Sequence, residues 1–295
     1  MKKGNIGDAA LSLLLYAGLA GFSLFTLYPF ANILAVSLND KLDTIRGGIY
    51  LWPRVWSWQN YSEIFASSNL LGAFLLSIVR TLVGTALGIL CTALFAYALS
   101  AREFMYRKLL NTMLVVTLYV HGGLIPTYLL IKNLDLMNTF WVYILPMLVS
   151  GFYIIIMRSY FETLPEGLIE SAKIDGASHF QTLFRIVMPV SLPVLATITL
   201  FVAVQHWNSW FDNYLYTSRE QSLSVLQYEL MKILLSAMNQ SAGQQAHIDA
   251  TTVNISNPQS TRAAMTIIVT VPILLVYPFL QRYFVKGMTV GAMKE

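Results

Sequence analysis

Six stretches of this chain are long enough to cross a bilayer yet carry almost no Asp, Glu, Lys or Arg, and that pattern limits the fold more than any other feature. A hydrocarbon core about 30 Å thick takes roughly 20 apolar residues as helix. The stretches are 9–38, 70–100, 109–131, 139–157, 186–211 and 263–280. Arg80 lies near the start of the second, Pro189 and Pro193 open the fifth, and Pro272 and Pro278 interrupt the sixth. Composition agrees, because charged residues make up 12% of the 295 positions against roughly a quarter in soluble proteins. The hydrophobic share is 56% and the mean hydropathy +0.59. The chain therefore reads as an all-α polytopic membrane protein with six transmembrane helices, forming a single transmembrane domain over 1–295.

The first stretch follows Lys2 and Lys3, as the apolar core of a secretory signal would. It is longer than the roughly 7 to 15 residues such a core uses, so it reads as an anchor. Short loops rich in Lys and Arg resist translocation. With the N-terminus inside, the inner segments collect eleven Lys and Arg, among them Arg102, Arg107, Lys108 and Arg158, against seven in the outer segments. Both termini then face the cytoplasm.

Several function classes fall away on the residues alone. The single cysteine, Cys91, sits in an apolar stretch and cannot support a disulfide framework within the chain or a cysteine-ligated zinc site. The net charge of +4 comes from dispersed cations with no basic stripe among stacking aromatics, so nucleic acid is not an expected partner. Four histidines without HExxH spacing, and no serine or cysteine nucleophile in a recognisable motif, argue against an intramembrane enzyme. An ion-coupled secondary transporter would want a carboxylate at mid-span or an internal repeat, and neither is seen. No GxxxxGK[ST] loop is present to cradle ATP phosphates.

Two of the three outer segments carry a readable pattern. In 39–69, Trp52, Trp56, Trp58 and Tyr61 suit either the membrane interface or a binding platform. In the outer segment 212–262, apolar residues at helical spacing over 222–238 predict a surface-lying helix, and the polar run 239–260 a flexible loop. The Asn254 triplet matches a glycosylation sequon, a pattern frequent by chance.

The connection 161–189 carries the sharpest local signal. Helix formers over 166–173 lead into Asp175 and Gly176, where glycine permits a left-handed backbone and a chain reversal. Phe180, Leu183, Phe184 and Val187 then recur on one helical face. The segment predicts a short helix, a tight turn and a second helix that enters the membrane. One reading is an ordinary amphipathic connector whose acids complement the helix dipole. The other rests on Ser171, Ala172, Gly176 and Ala177, small enough for close packing in a partner's groove, with Glu170 offering a carboxylate to a partner cation.

Glu170, Ser171, Ala172, Gly176, Ile186 and Pro189 together resemble the EAA loop of membrane subunits of ABC importers, with Ser171 in place of the first alanine and Met188 in place of the leucine. Asp175, Ala177, Phe180 and Pro193 match the fuller form found in sugar permeases. The stretch 51–65, with Trp52, Pro53, Trp58, Asn60, Tyr61 and Phe65, and the tail 286–292 resemble the maltose-type subunit, while 206–230 is closer to permeases for oligosaccharides and polysaccharides such as alginate. The resemblance covers nearly the whole chain and implies the type I ABC importer permease fold. It also implies the bacterial cytoplasmic (inner) membrane, a second homologous permease chain, two ABC ATPase subunits and an extracytoplasmic solute-binding protein. The chain itself would hold no cofactor, with ATP and Mg bound by the partner ATPase. Glu170 would transmit force and perform no acid or base chemistry. A permease for a non-sugar solute is the alternative within the same class.

For a solute path the useful groups are polar or aromatic residues at membrane depth, because such residues are costly unless paired or facing a cavity. Gln205, His206, Trp207, Asn208 and Trp210, followed by Asp212, Asn213 and Tyr214, gather at the outer end of the fifth stretch. Aromatic faces there can cover pyranose rings while amides meet hydroxyls; interfacial anchoring of the tryptophans, with His206 bonded inside the bundle, fits the same residues. Tyr119, His121, Gly122, Gly123 and Pro126 point to a broken helix lining a cavity or to a packing kink. Arg80, the one cation well inside a stretch, reads as unpaired, either snorkelling to the outer interface or facing the path to attract a carboxylated sugar.

Overall fold

The computed structural model describes residues 6–66, 68–241 and 258–292. Lys2, Lys3, Lys294 and most of the 239–260 run, with its Asn254 triplet, lie outside the described residues. Among the described residues, three helices are long and apolar enough to cross a membrane alone, and three bent helix pairs bring the number to as many as six.

The chain divides into two compact units, the first comprising Met1–Ser68 with Leu230–Val271 and the second Asn69–Glu229 with Pro272–Glu295. The first unit opens with α1 (Ile6–Ser37), whose apolar side chains are exposed in a way that only lipid or another protein could cover. Helices α2 (Lys41–Ile45) and α3 (Gln59–Ala66) follow. Asn39 organises this cap. Its amide donates to the Asp40 carbonyl, Asp43 Oδ2 and Thr44 Oγ1 at 3.0–3.1 Å, while its Oδ1 accepts from the backbone of Arg54 and Val55 at 2.8 and 3.0 Å. The Asn39 amide, with Arg54 beside it, holds the Asp43 carboxyl below its ordinary pKa. Asn60 completes the stitching by donating to the Ser37 and Asn39 carbonyls. These side-chain amides meet backbone groups of the cap, so the backbone can leave helix geometry without stranding them. Trp52, Trp56 and Trp58 project from the surface of this ordered cap.

The second unit is built on α4 (Ser68–Ser100), a single 33-residue helix. Its alanines Ala93 and Ala96 are fully buried, and small residues let neighbouring backbones approach closely where hydrophobicity gives no drive between helices. Helices α5 (Arg107–Tyr119) and α6 (Leu124–Asn133) are bent by 118° about residues 120–123, where Gly123 takes a φ of +86°. The fourth apolar stretch is not one helix. Two 3₁₀ turns, Phe140–Tyr143 and Leu145–Met147, precede α7 (Gly151–Phe161) at a bend of 50°. Pro146 explains the break, since it lacks an N–H and clashes with the preceding turn. At its start α7 crosses α5 closely, because a Cβ on Gly151 would lie 3.0 Å from the Leu114 carbonyl oxygen.

The fifth stretch is also bent. Helices α8 (Glu166–Ile174) and α9 (His179–Thr182) lead through a π-turn at Leu183–Val187 and α10 (Met188–Val190) to α11 (Leu192–Asn208). The 87° bend falls at Ser191, between the two prolines. Met157, Phe161, Leu183, Val187, Val194, Leu195, Ile198 and Val202 pack with Ala93 and Ala96 into one core that clamps both arms of this elbow against α4 and α7. Of the stretch 222–238 the part from Leu226 onward is helical, as α12 (Leu226–Ser241), and α13 (Pro258–Ala292) contains Pro272 and Pro278 and continues through the 286–292 tail.

Candidate substrate recess and coupling loop

The 161–189 connection folds as a helix, a turn and a second helix, and the reasons are local. Asp175 caps α8 and Gly176 follows at φ +76°. The Ala177 N–H donates to the Ala172 carbonyl at 2.9 Å and the Gly176 N–H to Lys173 at 3.1 Å. These two bonds are the Schellman pattern that closes a helix on a left-handed residue. Ser178 then starts α9 with a reciprocal capping box, accepting from the Gln181 N–H while the Gln181 side chain accepts from the Ser178 N–H. This Ser–x–x–Gln signal was readable in the sequence.

The turn presents an exposed surface. Ala172 is buried beneath it, while Ile174 and Phe180 are 85% and 66% exposed. Ser171, Asp175 and Gly176 are exposed too, Ala177 is half-buried, and Ile186 and Pro189 lie on the arm that re-enters the bundle. Lys173 pairs with Glu103 and Glu166 with Arg102, but Glu170 is exposed and pairs with no other described residue. Among the described residues the loop thus offers two free carboxylates, Glu170 and Asp175, and two apolar knobs on a rigidly capped turn.

A recess of about 690 Å³ is lined by Met147, Tyr153, Leu200, Phe201, Val204, Gln205, Asn208, Ser209 and Ile273. Phe201, Gln205 and Asn208 share one face of α11 through their i, i+4, i+7 spacing. The rings of Tyr153 and Phe201 stack at 6.4 Å with planes 16° apart, and the Tyr153 hydroxyl donates to Gln205 Oε1 at 3.4 Å. Asn208 Oδ1 accepts from Gln227 at 3.1 Å, and its amide N–H groups make no hydrogen bond to another described residue. No lining residue is charged.

Helix geometry divides the cluster that the sequence had grouped together. Gln205 and Asn208 reach the recess, whereas His206 and Trp207 are buried on the other side of α11. His206 packs on Gly84, where an added Cβ would lie 2.5 Å from Nε2, and Trp207 meets Phe74 edge-on at 6.3 Å. Trp210 packs on Phe211 and Tyr214. Asn213 is fully buried, bonding Thr217 Oγ1 at 2.7 Å and the Val225 N–H at 2.8 Å. These four side chains build the wall and do not line the recess. Tyr119 and His121 lie at the α5–α6 break, both exposed and away from the recess.

Arg80 corrects the reading most. It is not an unpaired cation; its side chain is 1% exposed and pairs with Asp212. Nη1 also donates to the Ser209 carbonyl at 3.1 Å, and the guanidinium carbon stands 4.5 Å from the Tyr143 ring centroid. A cation this deeply buried takes its solvation from a carboxylate, a carbonyl and a ring face.

Comparison with known proteins decides the class. A family model described as binding-protein-dependent transport system inner membrane component matches residues 1–290. The chain belongs to this family. Among its relatives is the polygalacturonan/rhamnogalacturonan transport system permease protein YtcP of Bacillus subtilis (strain 168), 35% identical over 96% of this chain and 97% of the relative. Protein LplC of the same organism is 36% identical over 99% of this chain and 96% of its own length. In fold, the chain matches a solved bacterial ABC transporter involved in the import of the acidic polysaccharide alginate, with a TM-score of 0.84 at 25% identity over 96% of this chain and 100% of that one. The chain is accordingly a membrane permease subunit of all-α architecture, a transport component of the ABC importer class.

Proposed function

We propose that this permease carries oligosaccharides, including those released from acidic polysaccharides, and that the Tyr153–Phe201 recess is its contribution to the solute path. The observation that carries the reading is the recess itself: a stacked aromatic pair beside two amides, with no charged lining residue. Aromatic faces cover the C–H faces of a pyranose, and amides replace the water lost from its hydroxyls. One relative, YtcP, is named for polygalacturonan/rhamnogalacturonan transport, which supports the substrate class.

Energy arrives through the loop. Two ATPase subunits, holding ATP and Mg between them, dock on the α8–α9 turn of this chain and of a second, homologous permease. Both termini face the cytoplasm in this arrangement, and a binding protein delivers the saccharide from the other side. Glu170, with Ser171, Asp175, Gly176 and Ala177, forms the docked surface, and the buried Ala172 packs beneath it; Ile186 and Pro189 carry its motion inward. A push on that surface reaches α11 through the Ser191 elbow, because the π-turn after α9, α10 and α11 share one buried core with α4 and α7. Tightly packed cores have discrete arrangements and deform little between them. Rocking the elbow therefore moves Phe201, Gln205 and Asn208 together, opening the recess alternately to either side.

Tyr153→Ala and Asn208→Ala test the recess. Each is expected to lower saccharide uptake about tenfold, the effect of losing one stacking or bidentate contact worth ~1.4 kcal/mol, while membrane insertion persists. Uptake at the parental rate in both variants would remove the recess from the path.

A further inference from the structure

Arg80 is the only Lys or Arg inside the six apolar stretches, and it lies behind the wall of the recess, not in it. Its two terminal nitrogens face the two Asp212 oxygens, Nη2 to Oδ2 and Nη1 to Oδ1 at 3.3 Å. The same Nη1 holds the carbonyl of Ser209, a lining residue, at 3.1 Å. Tyr143, whose ring covers the guanidinium, is itself fixed by bonds from its hydroxyl to Thr217 and the Leu223 carbonyl. Asp212, at 15% exposure, is the less buried member. Two opposite charges are thus locked within a few ångströms of a lining backbone carbonyl, although every side chain that lines the recess is neutral.

We infer that Arg80 and Asp212 are a specificity-determining positioning pair: each cancels the other's charge behind the recess wall. This chain then reads a saccharide by its ring faces and hydroxyls and leaves a uronate carboxylate unread. The inference rests on the saccharide reading of the recess. Charges at such a depth are weakly screened, so exposing either one alters the potential at the wall strongly. Arg80→Gln leaves Asp212 anionic beside Ser209 and repels a uronate. Asp212→Asn leaves the guanidinium uncompensated and attracts one.

The test compares uptake of a neutral oligosaccharide and its uronate counterpart, each delivered by saturating binding protein to the assembled transporter in vesicles. The readout is the uronate-to-neutral uptake ratio. Arg80→Gln is expected to lower that ratio and Asp212→Asn to raise it, each on the order of tenfold. The double variant, which carries neither charge, returns the ratio to the parental value. A merely structural pair would slow both substrates alike in every variant, and a constant ratio across the set overturns the inference. If Arg80→Gln fails to insert, Asp212→Asn and the double variant still supply the contrast. Loss of uptake in Tyr153→Ala and Asn208→Ala with a constant ratio sinks the pairing alone. Parental uptake in those two variants with a constant ratio sinks the recess reading as well.

Discussion

Gly176→Val and Glu170→Lys are each expected to abolish most transport-coupled ATP hydrolysis while leaving the chain in the membrane. The two act by different routes. Gly176 sits at φ +76° with open space around the position a Cβ would take, so valine meets no neighbour there but forces a branched residue into the left-handed region. That conformation costs of order 1–3 kcal/mol, enough to unmake the pair of bonds that closes α8. Glu170 is exposed and pairs with no other described residue, so its reversal leaves the chain's own packing intact and changes only what a partner meets. Truncating one member of a hydrogen-bonded charge pair at an interface costs about 2–5 kcal/mol, and reversing it costs no less. Hydrolysis stimulated by loaded binding protein should fall at least about tenfold in both, with Gly176→Ala intermediate. Parental coupling in Glu170→Lys would mean that the turn is a connector and nothing more.

Gly84→Val is expected to prevent assembly of a stable bundle. The Cβ alone would stand 2.5 Å from His206 Nε2 and 2.6 Å from Cε1, and His206 is 3% exposed with no room to withdraw. Overpacking a tight core typically costs about 1–3 kcal/mol, and valine adds two further methyls to the collision. Small residues at helix crossings in a membrane exist to allow this closeness. The smaller Gly84→Ala should lower the melting temperature of the purified complex, and adding His206→Ala should restore part of the loss because the methyl then fills vacated space. The non-additivity identifies the contact. A Gly84→Val protein that melts and transports like the parent would refute the close crossing of α4 and α11.

Much of this was legible in the sequence, and the reasons differ by element. The apolar stretches announce themselves because charge is excluded from hydrocarbon at any point along the chain, so no tertiary knowledge is needed. The coupling loop was readable because its determinants are local: Gly176, the Ser178–Gln181 box and the two prolines act within a few residues. The bends were only half legible. Gly122 and Gly123 flag the break between α5 and α6, whereas only Pro146 marks the 3₁₀ turns of the fourth stretch, whose apolar composition is that of a continuous helix. Helical periodicity counted from Phe201 separates Gln205 and Asn208 from His206 and Trp207. The Arg80 partner was the least accessible feature. Asp212 lies 132 residues away, and only the rule that a buried cation needs a carboxylate narrows the search to the outer end of the fifth stretch.

The most direct measurement is to purify the tagged chain from its native membrane, identify what accompanies it, and assay ATP hydrolysis with oligosaccharide-loaded binding protein. The account predicts an ABC ATPase and a second permease in the preparation, with hydrolysis stimulated by the loaded binding protein and lost in Glu170→Lys. A chain that purifies without an ATPase, or whose ATPase ignores both the saccharide and the Glu170 reversal, would contradict it.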